Sequence, residues 1–454
     1  MKQVLLSFFV FFILACAPLN DVNLERNDTD FAYDKWWQKY DNQILNDFVD
    51  TILKNNSEIQ MARLNLLSSL ASYDLAYVDL FPTADGSLGA SSTKNYNPNN
   101  TSNSFSGSLS VSYELDIYGK IRDNIASAEF SARASAYELE SLKLTLINSN
   151  IDAVLDLVYA NEVSKLLSDY VENLELAREL YALKYELGKI PELDLLNLEN
   201  SLLNARQSLL SNEQSKELII KGLKDSLAFE KDFDKIASLN SLSFSDFKES
   251  ELNFDINLQD LSNRPDIKSA LNSLKSAFKD LSVVEKSIYP SINLGGTLNT
   301  NDSNNGSFSV SSLGGNLRLS LPFLDYARIR QNIKISQYAY EGLKVQYEQS
   351  LQSAINEFIQ CKADYAFYEE LFKNIILINK KQEKIKNTYA LQYEAGKVEL
   401  KDFLDAQNSY INSHRDILSQ KLNLLKTRNL YYKITTFSSS TPSLNKENTG
   451  RISF

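Results

Sequence analysis

The chain has 454 residues, 43% hydrophobic and 23% charged, with a formal net charge of −11 at pH 7. Acidity on that scale argues against a nucleic-acid partner, which selects for basic surfaces. One histidine and two cysteines leave too few donors for the common His- and Cys-based metal sites, and no phosphate loop or dinucleotide fingerprint occurs, so no enzyme site and no cofactor is implied.

Residues 1–15 read as a secretory signal peptide. Lys2 gives a short positive region, and Val4 to Leu14 is apolar apart from Ser7, too short to span a bilayer as a permanent helix. The run ends Ile13-Leu14-Ala15-Cys16, which resembles the lipobox of bacterial lipoproteins, where the cysteine becomes the lipidated first residue. Ordinary cleavage with loss of Cys16 is the alternative. Ala17 stands where Asp would argue against the outer membrane, and several acyl chains together would give stable anchoring where one would not. Residues 16–40 are then a lipid-anchored N-terminal segment ending in Lys35-Trp36-Trp37-Gln38-Lys39-Tyr40, with the two tryptophans expected to pack on the helices that follow. Cys361 lies alone inside a helical pattern and reads as packed core, so no disulfide framework is available.

A helical pattern runs from about Asn42 to Leu80 and breaks at Phe81-Pro82. From Phe105 to Ile117 apolar residues alternate with Ser, Glu and Asp, the period of a strand with one apolar and one polar face. Ala84 to Ser92 is an earlier candidate strand, and Thr93 to Ser104, rich in Asn, Ser and Thr and holding Pro98, reads as an exposed connection. Gly119 ends this region, and a proline-free helix of roughly 65 residues follows, on the order of 100 Å long. Val163, Leu167, Tyr170, Leu174, Ala177 and Tyr181 keep heptad spacing, which implies supercoiling against neighbouring helices. The chain reverses at Gly188 to Pro191, returns from Glu192 to Ala228, and then passes through an irregular connector from Phe229 to Ile256.

The plan then repeats. Tyr181 to Ser201 (YALKYELGKIPELDLLNLENS) reappears as Tyr389 to Ser409 (YALQYEAGKVELKDFLDAQNS), 208 residues on. At the same offset Tyr289-Pro290 matches Phe81-Pro82, and Leu317 to Ile333 matches Leu109 to Ile125. The chain is a tandem duplication: a first repeat over 41–228 (β-hairpin 84–118, helical hairpin 119–228), a connector over 229–257, a second repeat over 258–436 (β-hairpin 291–323, helical hairpin 325–436), and a tail over 437–454. Four amphipathic strands cannot close a membrane barrel, which needs at least eight, and open edges are not viable in lipid. Three chains sharing one barrel would supply twelve strands and a ring of helices. The expected fold is therefore an α+β membrane protein, with long coiled helical hairpins forming an α-barrel and four strands per chain in a shared twelve-stranded trimeric β-barrel.

The Lys35-Trp36-Trp37 segment, Tyr113-Glu114-Leu115-Asp116-Ile117-Tyr118-Gly119-Lys120, Arg264-Pro265-Asp266-Ile267 and the two turn copies together resemble the TolC-type outer-membrane factors, in the lipid-anchored branch that serves resistance-nodulation-division pumps. The resemblance covers residues 16–436. It implies a homotrimer in the outer membrane of a Gram-negative bacterium, extending through the periplasm. Its partners would be outer-membrane lipid, a periplasmic adaptor (membrane fusion) protein and an inner-membrane efflux pump of the resistance-nodulation-division type. The turns at Gly188 and Gly396 would form the periplasmic tip. By alignment to the family's motif, Asp402 and Asp405 take the place of aspartates lining a closed aperture, Tyr393 that of a latch tyrosine and Asp194 that of its partner. One departure stands out: a basic latch residue of TolC itself is Val398 here, which leaves Lys397 or Lys189 to take the part. The implied function is passive exit of drugs and other toxic compounds; the outer channel of a type I protein secretion system is the alternative.

Overall fold

A computed structural model of the chain describes residues 35–227, 234–255, 258–303 and 309–436. The stretch expected to be a signal peptide, Cys16 and the tail over 437–454 lie outside the described residues. After a 3-10 turn at Trp36–Tyr40 come α1 (Gln43–Asn55), α2 (Ser57–Val78), β1 (Thr83–Tyr96), β2 (Asn99–Leu115), α3 (Lys120–Glu186) and α4 (Glu192–Ser226). The connector holds α5 (Asp234–Leu239) and 3-10 turns at Phe244–Asp246 and Leu258–Asn263. The second repeat follows as α6 (Pro265–Lys286), β3 (Ser291–Ser303), β4 (Ser309–Ser320), α7 (Tyr326–Glu394) and α8 (Leu400–Thr435). Both ends of α6 lie 208 residues beyond those of α2, and α7 ends 208 residues beyond α3, so the duplication holds in three dimensions.

Two expectations need correction. The helix expected over 42–80 is two helices, broken at Asn56. That residue is extended (φ −62°, ψ 129°), and its side chain accepts from the backbone N–H of Glu58 and Ile59 while donating to the carbonyl of Ser226. An amide that caps one helix cannot sit inside a longer one. The connection expected over 93–104 is almost entirely strand, with only Asn97 and Pro98 between β1 and β2. Its polar residues pair across the hairpin, as Ser91 and Ser104 do through their hydroxyls at 2.7 Å.

The four strands form one antiparallel sheet in chain order, β1-β2-β3-β4, leaving β1 and β4 as free edges. Register sorts the faces. Leu109, Leu298 and Leu313 lie side by side across three strands, while one position away Ser87, Ser108, Asn299 and Ser312 form a polar row joined by a Ser87–Ser108 hydroxyl contact of 2.8 Å and an Asn299-to-Ser312 bond of 3.0 Å. Strands of 12 to 17 residues exceed the ~25 Å apolar band of an outer-membrane barrel. None of the described helices is long and apolar enough to cross a membrane.

The main core lies where α1, the middle of α3, the connector and the end of α8 meet. Trp36 and Trp37 are fully buried there, stacked edge-on at 5.3 Å, and Trp36 Nε1 donates to Asn429 Oδ1 at 3.1 Å. Cys361 is also fully buried, its Sγ 3.6 Å from the carbonyl of Thr427, and burial pushes its thiol up to about 12.

Asp152 borders the same core. Burial pushes its carboxyl up to about 6, against a hydrogen bond from Asn429 and the charge of Lys426. Because the folded value exceeds the unfolded one, this group's stabilising contribution is complete below about pH 4 and lost as the pH rises through about 6. Thermal melting of the wild-type protein should therefore drop between pH 5 and 7, and Asp152→Asn should flatten that drop; an unchanged pH profile in the variant would exclude the assignment.

Candidate functional site: the two helical tips

Both long helices end in the same device. Gly188 and Gly396 each take φ +67°. The amide of Gly188 donates to Tyr185 and that of Lys189 to Lys184; the amide of Gly396 donates to Tyr393 and that of Lys397 to Gln392. These paired bonds form the Schellman closure of a helix, in which glycine tolerates the left-handed residue. An added Cβ at either glycine meets nothing within 4 Å, so the cost of Gly188→Ala or Gly396→Ala is that of backbone conformation alone. Each should cost about 1 kcal/mol, read in a thermal-melting comparison of each variant with the wild-type protein.

The returning helices start differently. In α8, Glu399 is the N-cap and forms a reciprocal capping box with Asp402, whose side chain accepts from the Glu399 N–H at 3.3 Å. In α4 the N-cap is Pro191, which has no side chain able to cap, and Asp194 occupies the place of Asp402. Asp402 and Asp405 are both exposed at the head of α8, one turn apart on its surface, where acids also suit the helix dipole. Asp405 stands where the first copy has the uncharged Asn197 and Glu399 where it has Pro191, while Glu192 and Glu199 of the first copy become Leu400 and Gln407, so the two copies differ in where their acids lie and not in how many they have.

Inside the chain the two tips are joined. Tyr170, Leu174, Tyr181, Leu198 and Leu202 of the first hairpin form a buried cluster with Leu400 and Leu404 of α8. The Tyr181 hydroxyl donates to the Tyr393 hydroxyl, with the rings stacked at 6.3 Å, and Tyr393 stacks in turn on Phe403 at 6.2 Å. Burial first, then the bond to Tyr393 and the charge of Asp194, push the Tyr181 phenol well above its usual range, so it remains a neutral donor. Lys184 lies 5.0 Å from the centre of the Tyr181 ring. The charge of Asp194 reaches Tyr181, while Tyr393 makes its hydroxyl contact with Tyr181. A second link runs from the Tyr170 hydroxyl to Asn408 Oδ1 at 2.6 Å, and burial pushes that phenol up to about 12.

Sequence reasoning placed Tyr181 only as a heptad position and did not find Asn408 at all. Val398 is half-buried and Lys397 exposed.

The family model for outer membrane efflux proteins matches residues 48–227 and 259–435, one stretch in each repeat. The chain belongs to the outer membrane efflux protein family. It is 29% identical over 405 residues to Toxin and drug export protein A of Aggregatibacter actinomycetemcomitans, covering 87% of each chain. It is 25% identical over 428 residues to the toluene efflux pump outer membrane protein TtgC of Pseudomonas putida, covering 89% of this chain and 85% of that one. Its fold matches the Campylobacter jejuni CmeC outer membrane channel with a TM-score of 0.81 at 22% identity, covering 93% of this chain and 92% of that one. The TolC-type resemblance carried by the motifs therefore holds, as does the duplicated α+β fold class. Members of this family are outer-membrane channel proteins, and the outer membrane is accordingly where this efflux protein belongs.

Proposed function

We propose that three copies of this outer membrane efflux protein close into one channel, which gives passive exit across periplasm and outer membrane for toxic compounds, drugs among them, delivered by an inner-membrane pump through a periplasmic adaptor. The observation that carries this is the unfinished state of a single chain. The sheet ends in two free edges, β1 and β4. Burial in α3 runs from Ile121 to Tyr181, yet in its repeat counterpart α7 only Ile329, Ala354, Phe358 and Cys361 are buried. Apolar faces and strand edges of that extent need partners, and lipid tolerates no open edge. Twelve strands from three chains satisfy both needs. In that assembly Asp402 and Asp405 would ring the periplasmic aperture, Asp194 and Tyr393 would lie at its latch, and Cys16 would carry the lipid anchor.

The names of two relatives, one of toxin and drug export and one of toluene efflux, support small toxic compounds as cargo. The same toxin-export name favours a second reading, the outer channel of a type I protein secretion system. A deletion strain separates them. Raised accumulation of drugs and dyes, restored by the wild-type gene, is expected; unchanged accumulation together with a secreted protein retained in the cell would replace the efflux reading with the secretion one.

A further inference from the structure

In a closed barrel only one face of the sheet meets lipid. The register puts Leu88, Leu109, Leu298 and Leu313 on the apolar face, so the opposite face lines the bore. That inner face is almost uncharged. β2 gives it serine at every second position from Ser102 to Ser112, and the other strands add Ser87, Thr297, Asn299 and Ser312. Among the described strand residues its charged side chains are Asp85, Glu114 and Arg318, all in the half nearest the helices.

Glu114 is already taken, by Lys120 at 3.1 Å. Arg318 is not. It is exposed on β4, and no carboxylate among the described residues pairs with it. In the ladder it stands opposite Asn293, which stands opposite Glu114 in turn. Its neighbours on the inner face are neutral: Asn293 across the ladder, with Asn316 and Ser320 along the strand. Further out the same face has Gly295 and Gly314, and the Asn316 amide fills the space that a side chain at Gly295 would need. The position has no charged counterpart in the first repeat, where Ser110 occupies it. The charge therefore belongs to this one strand and not to the duplicated plan.

We propose that Arg318 is a contact site in the bore for anionic solutes that carry a carboxylate, sulfonate or phosphate group. The proposal rests on the three-chain reading above and adds a substrate class to it. A guanidinium presents its donors as a planar fork that matches such groups, and the asparagine amides beside it add neutral donors. Twelve strands about 4.8 Å apart, tilted by about 40°, close at a radius of roughly 12 Å. Three guanidinium groups inside that wall lie within about one Debye length of a solute on the axis. Asp85 does not cancel them within a chain. It stands three strands away and four residues further out, roughly 20 Å from Arg318 and more than two Debye lengths off.

Citrate, as the trianion, added on the barrel side of wild-type channels in a planar bilayer tests this. It should reduce the single-channel current, and Arg318→Gln should weaken that block about tenfold, through the loss of three screened charges acting on a trianion. Arg318→Lys should keep most of the block, because the charge stays. Asn316→Arg, two residues away on the same face, should restore the block in the Arg318→Gln protein. Light scattering in detergent first establishes that three chains are present; their absence would overturn the three-chain reading and this site with it. Conducting trimers that citrate does not block, or blocks equally in the wild type and Arg318→Gln, would overturn the site alone.

Discussion

Replacing Asp402 and Asp405 together by alanine is expected to weaken divalent-cation block of the assembled channel at least tenfold and to raise its single-channel conductance. In a three-chain ring the two positions supply six carboxylates, as two tiers of three one helical turn apart. At about 6 Å in water a divalent ion gains roughly 1.4 kcal/mol from each carboxylate, and each 1.4 kcal/mol is a factor of ten in affinity. Salt screening at physiological strength removes part of that gain, since the Debye length is about 8 Å, but six charges acting together retain well over one such factor. The alternative explanation is local, because Asp402 belongs to the capping box with Glu399 and its loss frays the head of α8. Asparagine at both positions separates the two, since it keeps an acceptor for the Glu399 N–H while removing the charge. Weakened block in both the asparagine and alanine variants identifies electrostatics; weakened block in the alanine variant alone identifies the cap. Unchanged bilayer recordings in both would remove these aspartates from the aperture.

The parts of the molecule legible in sequence were those set by local rules or by repetition. Gly188 and Gly396 could be placed because a left-handed residue at a helix end selects glycine, and because the same turn occurs twice. The strand expected from Phe105 could be read because apolar and polar residues alternate there, whereas the stretch over 93–104 could not, since polar residues on both faces carry no period even though they pair across the hairpin. The break at Asn56 was hidden for a similar reason: apolar residues continue on both sides of it, and the cap depends on one amide reaching two backbone N–H groups. The tyrosine pair at the tip was beyond reach in sequence, because Tyr181 and Tyr393 are brought together only by the packing of two separate hairpins.

The core around Trp36 is where the largest loss of stability is expected. Trp36→Ala should destabilise the folded chain by about 3–5 kcal/mol, because a fully buried indole leaves a cavity that rigid helices on several sides cannot refill. The packing term is not the whole effect. Asn429 is itself fully buried and makes three bonds: it accepts from Trp36 Nε1, and its amide donates to the carbonyl of Asn148 and to Asp152 Oδ1, both at 2.9 Å. It ties the N-terminal segment, α3 and α8 together at one point. Trp36→Phe keeps much of the ring volume but strands the Asn429 oxygen, a loss of about 1–3 kcal/mol for an unsatisfied buried acceptor. Asn429→Ala strands the indole N–H and two acceptors and should cost at least as much. A double-mutant cycle decides whether this is one network or two neighbours. In a network, Trp36→Phe costs little once Asn429 is already alanine, because the acceptor it would strand is gone, so the double variant melts close to Asn429→Ala alone. Additive losses would instead mean that Trp36 acts by packing only, and that the N-terminal segment is held to α8 by shape and not by this amide.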